Sequence, residues 1–291
     1  MRLAFIGLGI MGGPMAGHLL AAGYPLVVNT RTQSRASELL ARGATWAPFP
    51  ADAADDADVI FLCLPDTPDV ASVLLGDNGV IGGAKAGAIV VDHSTISPAA
   101  TREMAVRLAA RDVILLDAPI SGGDVGAKDA TLSIMVGGDA QAFAAVEPLL
   151  RLMGKTITHC GESGTGQLTK LVNQILVTVT NLATCEALTF AKKNGLDLAK
   201  TISALAGGAA GSWQWANLGP RMIKQDYAPG FTIDLQQKDL RLVIEAARES
   251  GSPVLAASLV HQLFTAAQAM GSGKEGTQAL FKVVQALAAV K

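Results

Sequence analysis

The stretch Phe5-Ile6-Gly7-Leu8-Gly9-Ile10-Met11-Gly12 decides how the chain begins to fold. It follows a short apolar run and precedes a segment with helical periodicity. In a strand–turn–helix of this kind, Gly7 makes the tight turn, Gly9 lets the backbone approach a pyrophosphate and Gly12 lets the helix pack against the strand. The helix N-terminus adds unpaired N–H groups and a positive dipole end. We therefore expect a dinucleotide to contact Gly7, Leu8, Gly9, Ile10, Met11 and Gly12.

Short apolar runs continue to alternate with helical stretches through the first half of the chain. The predicted strands are Leu3–Ile6, Leu26–Val28, Val59–Leu64, Ile89–Asp92, Val113–Asp117, Thr131–Val136 and Thr156–His159. The predicted helices between them are Pro14–Ala22, Arg35–Arg42, Ala99–Ala110 and Ala140–Met153. Such alternation implies right-handed crossovers and a parallel sheet that helices cover on both faces. Residues 1–163 are therefore predicted to form an α/β Rossmann-type doubly wound domain.

The strand pattern stops after about Gly166, and only helical patterns follow. These helices are predicted at Gly166–Lys193, Leu198–Ala206, Gln214–Ile223, Ile233–Ser250 and Val254–Met270. We expect residues 164–291 to form an all-α domain that serves substrate binding and oligomerisation.

Composition excludes several classes of protein. Half of the 291 residues are apolar, 16% are charged and the formal net charge is −2, which gives no general attraction for nucleic acid or an acidic membrane. The three cysteines lie far apart without CxxC spacing, so neither a disulfide framework nor a metal site is expected. The apolar segment Leu171–Ala191 contains Asn173, Gln174 and Glu186, which favours a buried helix over a membrane span. We expect a cytoplasmic protein.

The segment Asn29-Thr30-Arg31-Thr32 ends the second predicted strand, where sites for NAD usually carry a carboxylate for the ribose hydroxyls. Here no carboxylate is present, and Arg31 and Arg35 offer guanidinium groups that suit a 2′-phosphate. We predict NADP(H) as the cofactor, with contacts from Asn29, Thr30 and Arg31, and we keep NAD(H) as the alternative. Leu64 and Pro65 follow the strand Val59–Leu64 and are further predicted contacts, although Pro65 also suits a simple strand terminator.

Lys170 stands in an otherwise apolar helical segment, which is unusual for a solvated lysine. Asn173 and Gln174 follow it at i+3 and i+4 and so share its helix face. A lysine beside two amides suits proton donation to an alkoxide and hydrogen bonding to a small polar substrate. The Ser121-Gly122-Gly123 stretch offers a hydroxyl and two unhindered N–H groups to a carboxylate, although an ordinary turn explains it equally well.

Four motifs together resemble the β-hydroxyacid dehydrogenase family over essentially the whole chain. They are the glycine-rich stretch at residues 5–12, Asp117-Ala118-Pro119-Ile120-Ser121-Gly122-Gly123, Gly166-Gln167-Leu168-Thr169-Lys170-Leu171-Val172-Asn173-Gln174, and Lys238-Asp239-Leu240. The resemblance implies a Rossmann domain, a helical second domain, a homodimer or homotetramer, and hydride transfer between a nicotinamide dinucleotide and a small carboxylated aldehyde or hydroxy acid. It implies Lys170 as the catalytic residue and Thr95 and Lys238 as cofactor contacts. Its implied substrate contacts are Ser121, Gly122, Gly123 and Asn173.

Within the family, Gly211-Ser212 and Pro229-Gly230-Phe231 are closer to the reductases of tartronate semialdehyde, which interconvert it with glycerate. The cluster Trp213-Gln214-Trp215 departs from that group, so dehydrogenases of 3-hydroxyisobutyrate and reductases of succinate semialdehyde stay as alternatives. A non-catalytic dinucleotide-binding sensor or scaffold would be expected to lose Lys170. Imine reductases by resemblance carry a different residue at that position, often Asp or Tyr, so Lys170 argues against both.

Overall fold

The apolar runs of the first 161 residues form the strands of one sheet. The computed structural model describes residues 1–289, and its strands are β1 (Leu3–Ile6), β2 (Leu26–Asn29), β3 (Thr45–Trp46), β4 (Val59–Leu62), β5 (Ile89–Asp92), β6 (Ile114–Asp117), β7 (Ile120–Ser121), β8 (Leu132–Gly137) and β9 (Gly154–Gly161). Within the sheet the order is β3-β2-β1-β4-β5-β6-β8-β7, with β9 paired to β8. This is the predicted Rossmann-type arrangement.

Strands β3, β2, β1, β4, β5 and β6 are mutually parallel, and the central strands β1 and β4 are buried along their whole length. Side chains alternate along β1, so Phe5 packs with Phe61 in one core while Ala4 and Ile6 pack with Ile60 in a core on the other side of the sheet. Two apolar faces require helices on both sides, which is why these strands are apolar throughout rather than alternating with polar residues.

The sheet is mostly parallel, as predicted, and departs from this pairing at β8. This strand runs antiparallel to β6 and β7, whereas β9 runs parallel to β8. The connection from β7 to β8 contains only the six-residue helix Gly123–Lys128. A parallel crossover needs about a dozen residues or more, so this short connection reverses the chain instead.

The helices of the first 161 residues cover both faces of the sheet. They are α1 (Gly12–Ala21), α2 (Ser37–Ala41), α3 (Pro50–Ala54), α4 (Thr67–Leu75), α5 (Val80–Gly83), α6 (Pro98–Ala109), α7 (Gly123–Lys128) and α8 (Ala140–Leu150). The predicted helix Arg35–Arg42 is instead a 3₁₀ turn, Gln33–Ala36, followed by α2. Helices α3, α5 and α7 were not predicted because fewer than two turns give no apolar periodicity.

A long helix, α9 (Thr165–Lys193), follows the sheet. The chain divides into two compact units, Met1–Lys170 and a second unit that begins at Leu171, and the division falls inside α9. By length and composition, α9 is apolar enough to cross a membrane, as core helices of soluble proteins can also be. Of its most apolar 18 residues, 44% are buried inside the protein.

The second unit is helical throughout its described residues. Its helices after α9 are α10 (Leu198–Ala206), α11 (Gly219–Ile223), α12 (Ile233–Ser250), α13 (Leu255–Ala269) and α14 (Leu280–Leu287), with a 3₁₀ turn at Thr277–Ala279. The single helix predicted at Gln214–Ile223 is a π-helical turn, Gln214–Leu218, followed by α11. Pro220 lies in the first turn of α11, where its missing N–H costs nothing.

Candidate dinucleotide and substrate site

The glycine-rich turn between β1 and α1 is shaped by close backbone contacts. Gly7 has φ +98°, and a Cβ there would collide with the carbonyl oxygen of Cys63. A Cβ at Gly12 would collide with the carbonyl oxygen of Gly7. At Gly9, by contrast, a Cβ would meet nothing within 4 Å. No side chain caps the start of α1, so the turn offers open space beside amides at a helix N-terminus, and this fits a pyrophosphate.

Side chains of neighbouring residues in this turn differ in burial. Leu8 is buried in the core, so its side chain is occupied with packing, whereas Ile10 is exposed. Met11 is partly buried against the same core as Leu8. In this stretch the backbone and the Ile10 side chain are therefore the groups available to a ligand.

At the end of β2, the predicted ribose contacts Asn29 and Arg31 differ in burial. Asn29 is buried, and its side-chain amide donates to the carbonyl oxygen of Ala47 at 2.9 Å. Arg31 is 86% exposed, with a guanidinium nitrogen 3.6 Å from the Asp69 carboxylate. An exposed ion pair of this kind is weak, so a phosphate can compete for Arg31. Asn29 therefore holds the strand end, and Arg31 is the group available to a ligand.

Two loops at the carboxyl ends of β4 and β5 are joined by Ser94. Its hydroxyl oxygen accepts a hydrogen bond from the backbone N–H of Leu64 at 2.8 Å, and its own N–H donates to the Asp92 carboxylate at 2.9 Å. These bonds tie the predicted contacts Leu64 and Pro65 to the loop that carries Thr95. Ligands bind outside the carboxyl ends of strands in such sheets, so these loops lie at the expected edge.

Gln167, in the first turn of α9, is tied to the same loop and was not singled out from the sequence. Its side chain is fully buried, with the amide nitrogen donating to the carbonyl oxygen of Ser94 at 2.8 Å. The amide oxygen accepts from the backbone N–H of Ile96 at 3.1 Å. The residues on both sides of Thr95 are therefore bonded to one side chain of α9. The same helix carries Lys170, whose exposed fraction is 7%.

The start of α9 is held by Asp117, the last residue of β6. This buried carboxylate accepts hydrogen bonds from the backbone N–H groups of Gly164 at 2.7 Å and Gln167 at 2.8 Å. Burial raises the pKa of the Asp117 carboxyl, while these backbone bonds act to lower it. A Cβ at Gly137 would come within 2.7 Å of the carboxylate, and one at Gly166 within 2.8 Å, so both glycines make room for it.

The predicted carboxylate loop begins in β7 with Ser121. Gly122 has φ +136° and Gly123 φ +65°, conformations that favour glycine at both positions. Helix α7 starts at Gly123, and its first turn carries Asp124, which forms an ion pair with Lys128 at 3.0 Å. Asp124 was not predicted to lie at this loop, and its charge would repel an anionic substrate unless Lys128 balances it.

His93 lies between β5 and this edge of the sheet but serves packing. Its Nδ1–H donates to the carbonyl oxygen of Ala118 at 2.7 Å, and its ring stacks on Phe61 with centroids 5.8 Å apart. Burial lowers the pKa of His93 to about 4, so the ring is neutral near pH 7. A neutral, fully packed ring of this kind serves packing rather than acid–base chemistry near pH 7.

Three of the predicted residues lie in the second unit: Asn173, Gln174 and Lys238. The Gln174 amide oxygen accepts from the Asn173 side chain at 2.7 Å, and its amide nitrogen donates to the buried Asp239 carboxylate at 2.5 Å. The Lys238 ammonium lies 2.6 Å from the other Asp239 oxygen. Gln174 is thus engaged at both ends of its amide, which suits it to hold its neighbours rather than to bind a substrate directly.

The first unit therefore contains the glycine-rich turn, Arg31, the Leu64-Pro65 and Thr95 loops, the Ser121 loop and Lys170. Comparison with known proteins agrees with this content. Residues 2–161 match the family profile for the NAD binding domain of 6-phosphogluconate dehydrogenase. Residues 164–284 match the profile described as NAD-binding of NADP-dependent 3-hydroxyisobutyrate dehydrogenase.

The 2-hydroxy-3-oxopropionate reductase of Escherichia coli is 42% identical over 288 residues, which cover 99% of this chain and 98% of that protein. This chain belongs to the β-hydroxyacid dehydrogenase family. Another relative, the 2-(hydroxymethyl)glutarate dehydrogenase of Eubacterium barkeri, is 36% identical over 100% of this chain and 97% of its own. Among solved structures, the 3-hydroxyisobutyrate dehydrogenase of Mycobacterium tuberculosis, determined with L-serine, superposes with a TM-score of 0.89 at 30% identity, covering 98% of this chain and 100% of that one.

Family membership makes the chain an NAD(P)-dependent oxidoreductase that acts on the CH–OH group of a hydroxy acid. Its helical second unit matches the second domain of the family. The named relatives act on different hydroxy acids, so family membership fixes the type of reaction and not the substrate.

Proposed function

We propose that this protein interconverts tartronate semialdehyde (2-hydroxy-3-oxopropionate) and glycerate, with NADP(H) as the preferred cofactor. The observation that carries the proposal is Lys170, a buried lysine whose helix begins at the Asp117 carboxylate, in the same unit as the glycine-rich turn. The 42% identity to the Escherichia coli reductase supports this substrate. The description of the second-unit profile supports NADP.

The predicted residues whose groups are available to a ligand have these roles in the reaction. When bound, the nicotinamide supplies the hydride that reaches the aldehyde carbon. Lys170 donates the proton that the aldehyde oxygen takes up, and accepts it in the reverse oxidation. The Ser121 hydroxyl and the N–H groups of Gly122 and Gly123 bind the substrate carboxylate, and the Asn173 amide bonds its hydroxyl. Cofactor contacts come from the glycine-rich turn, Arg31, the Leu64-Pro65 loop, Thr95 and Lys238.

The substrate is tested by comparing kcat/KM for four aldehydes with NADPH. Tartronate semialdehyde should be best and methylmalonate semialdehyde second, because the partly buried Asn173 amide would lose its hydroxyl partner. Trp213 is 60% exposed and so does not fill a pocket in the isolated chain. Space for a longer substrate is therefore not blocked by this side chain, and succinate semialdehyde is the competing substrate. Preference for succinate semialdehyde or uncharged propanal would overturn the substrate assignment and leave hydride transfer intact.

Lys170→Ala tests the proton donor. A general acid typically contributes about 10²–10⁴-fold, so kcat should fall by that factor while NADPH affinity stays near normal. Lys274→Ala is a matched control, because Lys274 is 90% exposed and pairs with Asp234. Turnover above half of the wild-type value in folded Lys170→Ala would contradict the assignment.

Arg31 and Asp69 together test cofactor choice. A charge-assisted contact is worth about 1.5–3 kcal/mol, so Arg31→Ala should raise the KM for NADPH at least about tenfold and change that for NADH little. Asp69→Asn removes the carboxylate that competes for Arg31 and should lower the KM for NADPH. Equal wild-type kcat/KM for NADPH and NADH would exclude the preference.

We further propose a cytoplasmic homodimer or homotetramer, with residues 1–163 as the dinucleotide domain and 164–291 as the substrate and oligomerisation domain. Leu168, Val172 and Leu176 are exposed at successive four-residue steps of α9, which is an apolar row that a second copy would cover. Light scattering should give a multiple of the 29.9 kDa chain mass. A stable monomer at micromolar concentration would refute the oligomer, and Leu176→Glu should shift an oligomer toward monomer.

A further inference from the structure

Gln167 is hydrogen-bonded to two separate segments at the carboxyl edge of the sheet. Its backbone N–H is bonded to Asp117 at the end of β6. Its side chain is bonded to Ser94 and Ile96, the residues that flank Thr95 in the loop after β5. Ser94 in turn accepts a hydrogen bond from Leu64. Three strand ends therefore converge on the first turn of α9, all within the first unit.

This contact needs a side chain that both donates and accepts a hydrogen bond, and an amide does so at any pH. The Ser94 carbonyl oxygen needs a donor, the Ile96 N–H needs an acceptor, and both lie against a fully buried side chain. A glutamate offers two acceptors and, when ionised, no donor; a leucine or methionine offers no strong hydrogen bond to either group. Lys170 follows Gln167 by three residues, hence on the same side of α9 one turn later.

We propose that Gln167 is a positioning residue that fixes Lys170 relative to the Thr95 loop. The inference rests on the proposed function, in which Lys170 is the proton donor and Thr95 a cofactor contact. The carboxylate at the strand end fixes where α9 begins, and the glutamine amide fixes the loop against that beginning. The distance between Lys170 and the Thr95 loop is then fixed before any ligand binds.

The test compares Gln167→Leu with Gln278→Leu. Gln278 is a matched control because it is equally buried and its amide nitrogen donates to two backbone carbonyl oxygens, those of Asp226 and Ala228, away from the proposed site residues. Displacement of a catalytic group by about 1 Å costs up to about 10²-fold, so kcat of Gln167→Leu should fall about 10- to 100-fold with aldehyde KM changed less. Gln278→Leu should lose stability and keep kcat within about twofold of wild type.

Gln167→Glu provides a readout that general destabilisation would not move. Burial favours the protonated carboxyl, which donates to the Ser94 carbonyl and accepts from Ile96 as the glutamine does. The ratio of its kcat to that of wild type should therefore rise as pH is lowered from about 8 toward 5.5, while the ratio for Gln167→Leu stays flat. Asp92 is bonded to Ser94 and Asp117 to Gln167, and the negative charge of these carboxylates further favours the protonated form of the introduced carboxyl.

The outcomes separate this inference from the proposed function. All ratios are taken on the aldehyde that wild type reduces best, so a wrong substrate assignment changes the ranking of aldehydes and leaves the ratios intact. A Gln167→Leu variant with kcat within twofold of wild type overturns the inference. If Gln167→Leu does not fold, the Gln167→Glu series decides alone, and a pH-independent ratio there overturns the inference.

Discussion

Two buried carboxylates, one in each unit, are held in different ways. Asp117 and Asp239 are 0% and 1% exposed. Asp117 accepts its hydrogen bonds from backbone N–H groups at the start of α9, whereas Asp239 is bound by the side chains of Gln174 and Lys238. Backbone amides of a helix start cannot move without moving the helix, but side chains change rotamer readily. The difference separates a fixed support from a cluster that a ligand can rearrange.

The two supports imply different consequences for the reaction. The position of Lys170 depends on Asp117 and Gln167, so it is set by the fold. The position of Lys238, an expected cofactor contact, depends on a carboxylate that Gln174 shares. We therefore expect mutations around Asp117 to act mainly on stability and kcat, and mutations around Asp239 to act mainly on ligand affinity.

The largest expected effect comes from Asp117→Ala. It leaves two backbone N–H groups buried without partners, each costing about 1–3 kcal/mol, so the free energy of unfolding should fall by about 2–6 kcal/mol in urea denaturation. Asp139→Ala is the control, because Asp139 also accepts from two backbone N–H groups, those of Gln141 and Ala142, but is exposed. It should cost about 1 kcal/mol, as an ordinary helix cap does. Equal losses in the two variants would show that Asp117 is only another cap.

Substitution of His93 should have the next largest effect, and it tests the first unit, which contains the Asp117 support. Its pKa is lowered from 6.5 to about 4 by burial, so the unfolded chain binds this proton more readily than the folded one. Stability from a neutral His93 is thus fully present above pH 6.5 and is lost as pH falls toward 4, at up to about 1.4 kcal/mol per pH unit. His93→Phe keeps the stack on Phe61 and should remove this slope. An unchanged pH dependence of urea unfolding in His93→Phe would contradict the assignment.

Lys238→Met should have the smallest effect and tests the adaptable cluster. Loss of one charge-assisted contact should raise the Kd for NADPH about tenfold, measured by fluorescence titration. Lys274→Met removes an exposed lysine from a pair with Asp234 at 2.9 Å and should leave Kd unchanged. If Lys238→Met altered kcat strongly at saturating NADPH, the Asp239 cluster would belong to the fixed support as well.

Sequence patterns predicted the long, regular parts of the fold closely. The bounds of β1, β5, α10 and α12 are those predicted, because each is an apolar or amphipathic run with clear ends. The reversal at β8 was missed because apolar strand patterns carry no direction. The contact between the Gln174 amide and Asp239 was not predicted, because two residues so far apart in the chain leave no local pattern.

The residues that support the site were hidden for the same reason. Asp117 and Gln167 both lay inside recognised motifs, but their hydrogen bonds join segments that are far apart in sequence. A helical pattern places Gln167 on the same side as Lys170 and says nothing about the loop after β5. Chemistry-bearing residues were thus predictable from type and context, whereas their supports required the tertiary structure.

The space around Asp117 has a consequence for how such chains diverge. A side chain at Gly137 or Gly166 would press against the carboxylate, so we expect these three positions to change together in evolution. A descendant that replaces one of them must lose the carboxylate or relocate the helix that bears Lys170. Genome surveys that infer activity from the lysine alone would then count inactive copies, and requiring the aspartate and both glycines as well should exclude them.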